Sequence, residues 1–161
     1  MHHCRMEIGD RIGVVSDTHG LMREAVLELL SGVNLIIHAG DVGEAQILTQ
    51  LAKVAPVIAV RGNVDSGEYA ADLPMGAWVE AEGSRIYVYH VVQDLPIAPD
   101  EDKVNMVISG HSHRSGVEEK DGVVYLNPGT IGPKRFNLPV SFAYVTYGNE
   151  GLVPEICEIP D

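Results

Sequence analysis

Between residues 11 and 60 the chain alternates short apolar runs with amphipathic segments, a pattern that points to a parallel sheet flanked by helices. Residues 11–16 (RIGVVS), 34–38 (NLIIH) and 56–60 (PVIAV) read as strands. Residues 21–30 and 44–54 read as helices, with Val26, Leu29 and Leu30 on one side of the first. After residue 76 the pattern changes. Residues 77–82 and 85–91 flank Gly83-Ser84 as an antiparallel hairpin, and 103–109 and 123–127 form two further strands. Residues 141–147 and 152–159 close the chain as a hairpin around Gly148-Asn149-Glu150-Gly151. The expected fold class is α/β, a sandwich of mixed sheets forming one domain over 1–161. Residues 1–10 are expected to be a frayed or strand-leading N-terminus.

A chain of 161 residues builds a real core. Its formal net charge of −12 argues against stable nucleic-acid binding, which needs a concentrated basic surface. A phosphorylated small molecule is still allowed, because bound cations reverse the field locally. No apolar run approaches the ~20 residues that span a bilayer, and the N-terminus has no signal-peptide pattern. Cys4 and Cys157 read as unpaired thiols in a reducing compartment. The expectation is a cytoplasmic protein without a membrane partner.

Polar residues collect just past the end of each strand. The first strand runs into Asp17-Thr18-His19-Gly20, the second into Gly40-Asp41 and the third into Gly62-Asn63-Val64-Asp65. His90 ends a hairpin strand, and the next strand runs into Gly110-His111-Ser112-His113. Ligands of open α/β sheets bind outside the carboxyl ends of strands, so five segments deliver Asp, His and Asn to one rim. Carboxylate, imidazole and amide oxygen together favour Mn, Fe or similar divalent ions, and the lack of cysteine argues against structural zinc. In Asp17-x-His19 and His111-x-His113 the donors are two apart, which in extended backbone places both on one face. Gly40 and Gly62 are expected to let the backbone turn sharply before Asp41 and Asn63.

Each motif alone has a plainer explanation. Asp-x-His commonly marks a turn or cap, Gly-Asn-x-Asp a left-handed turn, and a lone histidine a satisfied half-buried side chain. The case rests on their order and their shared placement at strand ends. Seven side chains with one carboxylate shared leave about four of roughly twelve octahedral positions open for water and substrate.

With these motifs in this order, the chain resembles the calcineurin-like metallophosphoesterase superfamily. Within it, the chain is most similar to the small single-domain (YfcE-like) phosphodiesterase branch, which adds a motif matching Asn127-Pro128-Gly129-Thr130. The resemblance runs from about Arg11 to Tyr147. It implies a two-sheet αββα sandwich, the metallo-dependent phosphatase fold. One ion would be held by Asp17, His19, Asp41 and His113, and a second by Asp41, Asn63, His90 and His111. Mn²⁺ is the first choice, ahead of Fe, Ni, Zn or Mg. Asp41, Asn63 and Asp65 are the implied catalytic residues, with Asn63 also meeting substrate. The implied reaction is hydrolysis of a P–O bond, with attack by a hydroxide bridging the ions. A homodimer or larger homo-oligomer is implied as well.

The chain departs from the family pattern at three places. Val64 stands where many members carry a histidine that protonates the leaving group, so turnover is expected to be slow except for diesters with acidic leaving groups. Val91 stands where His-Gly is usual, so the backbone after His90 is expected to differ, because a β-branched residue avoids positive φ. Residues 93–102 (QDLPIAPDED) replace a usual helix with at most a short turn.

Other polar residues are weighed against plainer roles. His38 reads as a structural hydrogen-bonding residue, and His2 and His3 as part of a frayed end. Lys134 is a candidate to meet substrate phosphate, and Arg135 beside it another, against the reading of a solvated loop. Asp65 either orients a ligand from behind or caps its turn. The competing function is a metal-binding scaffold like the retromer subunit of the same fold. A regulatory metal-binding protein is the third reading.

Overall fold

The computed structural model describes residues 1–135 and 137–160. The parallel core forms where the alternation places it. Strand β2 (Arg11–Val15) pairs in parallel with β3 (Leu35–His38), which pairs in parallel with β4 (Val57–Ala59). Residues Ile12–Val15 of β2 and all of β3 are buried, as expected of parallel strands covered on both faces. Helices α1 (Glu24–Leu29) and α2 (Ala45–Ala52) cover one face: Val26, Leu30, Ile47 and Leu51 pack with Val15, Ile36 and Phe142. Each such fully buried aliphatic side chain contributes about 1.5–3 kcal/mol.

The closing hairpin of β10 (Val140–Gly148) and β11 (Gly151–Ile159) extends this sheet antiparallel to β2, giving the order β11-β10-β2-β3-β4. A second, six-stranded sheet is built from five later strands and one early one. These are β1 (His2–Cys4), β5 (Gly76–Ala81), β6 (Ser84–Tyr89), β7 (Met106–Ile108), β8 (Gly116–Lys120) and β9 (Val123–Asn127), in the order β1-β5-β6-β7-β9-β8. Ile12, Val14 and Ile37 of the first sheet meet Val79, Ile86, Val88 and Ile108 of the second in the central core. The result is the two mixed sheets expected of the phosphatase fold.

The outer face of the second sheet is covered differently. Val104, Val107, Tyr87 and Val123 lie under Leu95 and Ile97 of the strap following β6. The strap's only regular structure is one 3-10 turn, Val92–Asp94. Its prolines Pro96 and Pro99 explain the missing helix.

Four elements depart from the sequence reading. Residues 2–4 are not frayed: β1 pairs in parallel with β5, His2 against Val79 and Cys4 against Ala81. Helix α1 begins only after Arg23, whose backbone is extended at φ −90° and ψ 130° and whose guanidinium donates to the Ile131 and Gly132 carbonyls. A short helix α3 (Glu68–Ala71) and strand β8 also escaped the pattern. Every residue of β8 is exposed, so it shows no alternation to detect. Cys4 and Cys157 are unpaired, as expected, and burial raises the pKa of both thiols.

Candidate metal centre

The ends of β2, β3 and β7, the turn after β4 and the residue after β6 meet at one rim. The donor atoms of Asp17, His19 and His113 lie within 4.8 Å of one another, and so do those of Asp41, His90 and His111. The rings pair the same way: His19 stacks near His113 and His90 meets His111 edge-on, each with centroids 5.3 Å apart. One oxygen of Asp41, Oδ2, faces both groups, 3.7 Å from His19 Nε2 and 3.1 Å from His90 Nε2. Asp17 Oδ1 lies 3.7 Å from His19 Nε2 and 3.5 Å from His113 Nε2. Donors bound about 2.1 Å from one ion sit about 3–4 Å from each other, which is the spacing seen.

Asp17 Oδ1, His19 Nε2, His90 Nε2 and His113 Nδ1 are buried and have no hydrogen-bond partner. Such orphaned polar atoms are costly to bury, and three of them face one another: Asp17 Oδ1 lies 3.7 Å from His19 Nε2 and 3.9 Å from His90 Nε2. The 3.1 Å approach of His90 to Asp41 is an ion-pair distance without hydrogen-bond alignment. The donor set fits divalent ions.

At Asp17 and His90 the other atom is tied down, which aims the orphaned one. Asp17 Oδ2 accepts from Ser16 Oγ at 2.6 Å and from the His111 N–H at 3.0 Å, leaving Oδ1 for the centre. His90 Nδ1 lies 2.7 Å from the Ala39 carbonyl. A carbonyl only accepts, so Nδ1 carries the proton and the Nε2 lone pair points inward. Thr130 donates to the Asp17 carbonyl, and Asn127 Nδ2 to the Gly110 carbonyl and Ser112 Oγ. The Asn127–Thr130 run thus braces the first and last ligand turns together.

Charges follow from these contacts. Burial opposes ionisation of Asp41, but the His90 contact, the Val64 N–H and the His90 and His19 charges outweigh it. The carboxyl is held well below the usual carboxylate range. Burial likewise opposes protonation of His90, but Asp41, the Ala39 carbonyl and Asp17 outweigh it and raise its pKa. Burial dominates at His113 and lowers its pKa, helped by the Arg135 charge.

Two local expectations need correcting. The Asp-x-His and His-x-His runs are not extended. Asp17, His19, Asp41, His111 and His113 all have positive φ, between 45° and 72°. Left-handed backbone at alternate residues, not strand alternation, turns these side chains to the same space. Such conformations cost about 1–3 kcal/mol each and persist only where the surroundings enforce them. Gly62 is not among the positive-φ residues; a Cβ there would strike the Asp41 backbone nitrogen and carboxylate, so it permits close approach. Gly40, at φ 105°, does turn as expected. After His90 the backbone departs from a glycine-type turn as anticipated: Val91 is extended, at φ −107° and ψ 106°.

Asn63 is exposed and shares with His90 the wall of a recess of about 110 Å³ that Arg61, Met75 and Val91 also line. A larger cavity, about 780 Å³, lies behind the His111 loop against Ser109, Ser112 and Tyr125, with none of the candidate ligands in its wall. Asp65, expected among the catalytic residues, turns its carboxylate to backbone N–H groups and away from the facing donors. Lys134 is exposed on the turn after Gly132. His38 is fully buried: Nδ1 accepts from the Gly40 N–H, so Nε2–H donates to Thr18 Oγ1, which donates in turn to the Val42 carbonyl. Thr18 and Ser16 were missed, although their places beside Asp17 were the available signal. Tyr69, whose hydroxyl donates to Asp65, carried no signal at all.

Facing histidines and carboxylates at the strand ends of a two-sheet sandwich define a metallophosphoesterase. The chain belongs to the calcineurin-like phosphoesterase superfamily, whose domain model matches residues 11–150. It is 37% identical over 140 residues to a protein of Methanothermobacter thermautotrophicus named "Probable metallophosphoesterase", covering 80% of this chain and 81% of that one. It is 29% identical over 154 residues to the phosphodiesterase YfcE of Escherichia coli, covering 79% and 82%. The solved YfcE structure superposes with a TM-score of 0.68 over 93% of this chain and 100% of that one. Vacuolar protein sorting 29 from Cryptosporidium parvum shares the fold, with a TM-score of 0.75 at 20% identity over 96% and 100%. No helix among the described residues is long and apolar enough to cross a membrane.

Proposed function

We propose that this chain is a phosphodiesterase working with two divalent ions, Mn²⁺ first among them. The observation that carries the reading is that the buried, partnerless atoms Asp17 Oδ1, His19 Nε2 and His90 Nε2 face one another within two clusters of potential ligands. Asp17, His19, Asp41 and His113 would hold one ion, and Asp41, Asn63, His90 and His111 the other. When bound, such ions acidify water and offset the charge that builds on phosphoryl oxygens.

The protein's own groups do the rest. The Ala39 carbonyl keeps the His90 proton on Nδ1, so its Nε2 is ready as a donor. Asn63 stands exposed where substrate enters, and the Arg135 charge felt at His113 marks a cation near the same rim. Lys134, on the same turn, is the second cation for substrate phosphate. Val64, 48% exposed, presents no proton to a leaving group. Diesters whose leaving groups are already acidic are therefore the favoured substrates. A single domain, a homo-oligomer and a cytoplasmic setting complete the reading.

The test is Mn²⁺-dependent cleavage of bis-p-nitrophenyl phosphate, with Asn63→Ala and His111→Ala as controls. Cleavage in wild type that both variants lose supports the proposal. Wild-type protein that binds metal by elemental analysis yet cleaves no ester turns the reading toward the scaffold role suggested by the shared fold.

A further inference from the structure

We infer that Tyr69 is a positioning residue of this centre, holding Asp41 in its ligand geometry through the Asp65 carboxylate. The inference rests on the two-ion reading above and deepens it.

Asp65 is 3% exposed and ties together the turns after β3 and β4. Its Oδ2 accepts from the Asp41 N–H at 3.0 Å and the Gly62 N–H at 2.8 Å. Its Oδ1 accepts from the Gly43 N–H at 3.0 Å and the Tyr69 hydroxyl at 2.8 Å. The backbone so gripped is strained and crowded: Asp41 sits at φ 58° and Gly62 lies against it with no room for a Cβ. Asp41 Oδ2 also faces both donor groups, 3.7 Å from His19 and 3.1 Å from His90, the closest carboxylate approach in the centre. A small rotation at Asp41 would therefore disturb both positions.

Three of the four donors to Asp65 belong to the turns it grips and move with them. Tyr69 is the exception, because it comes from α3, and its ring packs with Leu73 against the apolar cluster under α2. It is the outside anchor. A phenol donating to a buried carboxylate makes a charge-assisted bond, stronger than a neutral one. Without it Oδ1 keeps a single donor, the Gly43 N–H, and the carboxylate loses its one tie to α3. Residues that orient ligands from behind commonly alter metal affinity 10- to 100-fold. An effect relayed through Asp65 belongs at the lower end.

Tyr69→Phe removes the hydroxyl and keeps the packed ring. Mn²⁺ binding by isothermal titration calorimetry is compared between wild type and this variant, alone and in an Asp65→Asn background. Thermal unfolding of each metal-free protein runs alongside. The expected result is about tenfold weaker Mn²⁺ binding in Tyr69→Phe, with no further loss on adding it to Asp65→Asn. If Asp65→Asn does not fold, Asp65→Glu serves as the background. A merely structural role would lower the melting temperature and leave the affinity alone. Unchanged affinity in Tyr69→Phe, or an equal loss in both backgrounds, overturns the inference. Wild type that takes up no Mn²⁺ overturns the two-ion reading itself, and this inference with it.

Discussion

The two halves of the candidate centre are held very differently. The turns after β2, β3 and β4 are braced from behind by buried polar groups. Ser16 holds Asp17, His38 bonds the Thr18 hydroxyl that reaches the Val42 carbonyl, and Asp65 grips three backbone amides. The loop carrying His111 and His113 has lighter support. His111 is exposed and tied by one N–H to Asp17, and Asn127 steadies the loop through the Gly110 carbonyl and Ser112. The lesson is a division of labour. The first half is preorganised by the fold, while the second is joined to it through Asp17 and any shared ion.

The largest expected effect sets one half directly against the other. Asp65→Ala strands the N–H groups of Asp41, Gly43 and Gly62 and the Tyr69 hydroxyl. The Asp41 N–H is fully buried and the other three are partly buried, so at roughly 1–3 kcal/mol for an unsatisfied buried donor the metal-free protein should lose about 3 kcal/mol. His111→Ala should shift it by no more than about 0.5 kcal/mol, as surface substitutions do. Urea unfolding of both variants checks this. Equal losses would erase the distinction between the halves.

The next effect is a pH dependence seated in the braced half. Burial is the main cause lowering the His38 pKa from 6.5 to about 4, against the raising influence of Asp17. Between those values the unfolded chain binds a proton that the folded one does not. The His38 contribution is therefore complete above about pH 6.5 and is lost as pH falls toward 4, about 3 kcal/mol in all. His90 has the opposite sign: with its pKa raised, its contribution is present at low pH and is lost as pH rises through the raised value. Comparing metal-free wild type with His38→Gln at pH 7 and pH 4.5 isolates the His38 contribution. The variant should lose most of its stability deficit at the lower pH. A deficit independent of pH would show that His38 does not titrate in this window.

The smallest effect concerns a side chain that the braced half leaves unused. The Val64 N–H donates to Asp41 Oδ1 at 2.9 Å, but its side chain is 48% exposed. Val64→His should therefore fold normally while adding a proton donor. Rates on alkyl diesters should rise about tenfold relative to aryl diesters, below the roughly 100-fold or more of an evolved general acid because the donor is newly introduced. An unchanged alkyl-to-aryl ratio would show that leaving-group protonation does not limit this enzyme.

Much of the fold was legible because burial on both faces writes compact apolar runs into β2 and β3 and an amphipathic stripe into α2. The closing hairpin was legible from its turn residues for the same local reason. Strand β1 was not: a polar triplet holds no local signal, and its partner β5 lies more than seventy residues away. The exposed residues of β8 were hidden likewise.

At the site, the residue types and their order at strand ends were sufficient to name the candidate donors, since chemistry restricts which side chains hold a divalent ion. The sequence by itself determined which candidate donors stand at the strand ends, the parallel core beneath them and a side chain without a proton to give at Val64. Only the tertiary structure decided how the donors are aimed. Left-handed backbone at Asp17, His19, Asp41, His111 and His113 is costly locally and survives because distant groups enforce it. The Ala39 carbonyl on His90, Thr130 on the Asp17 carbonyl and Tyr69 on Asp65 act across turns or between elements. Such contacts exist only once the strands have stacked, so no local reading of the chain contains them.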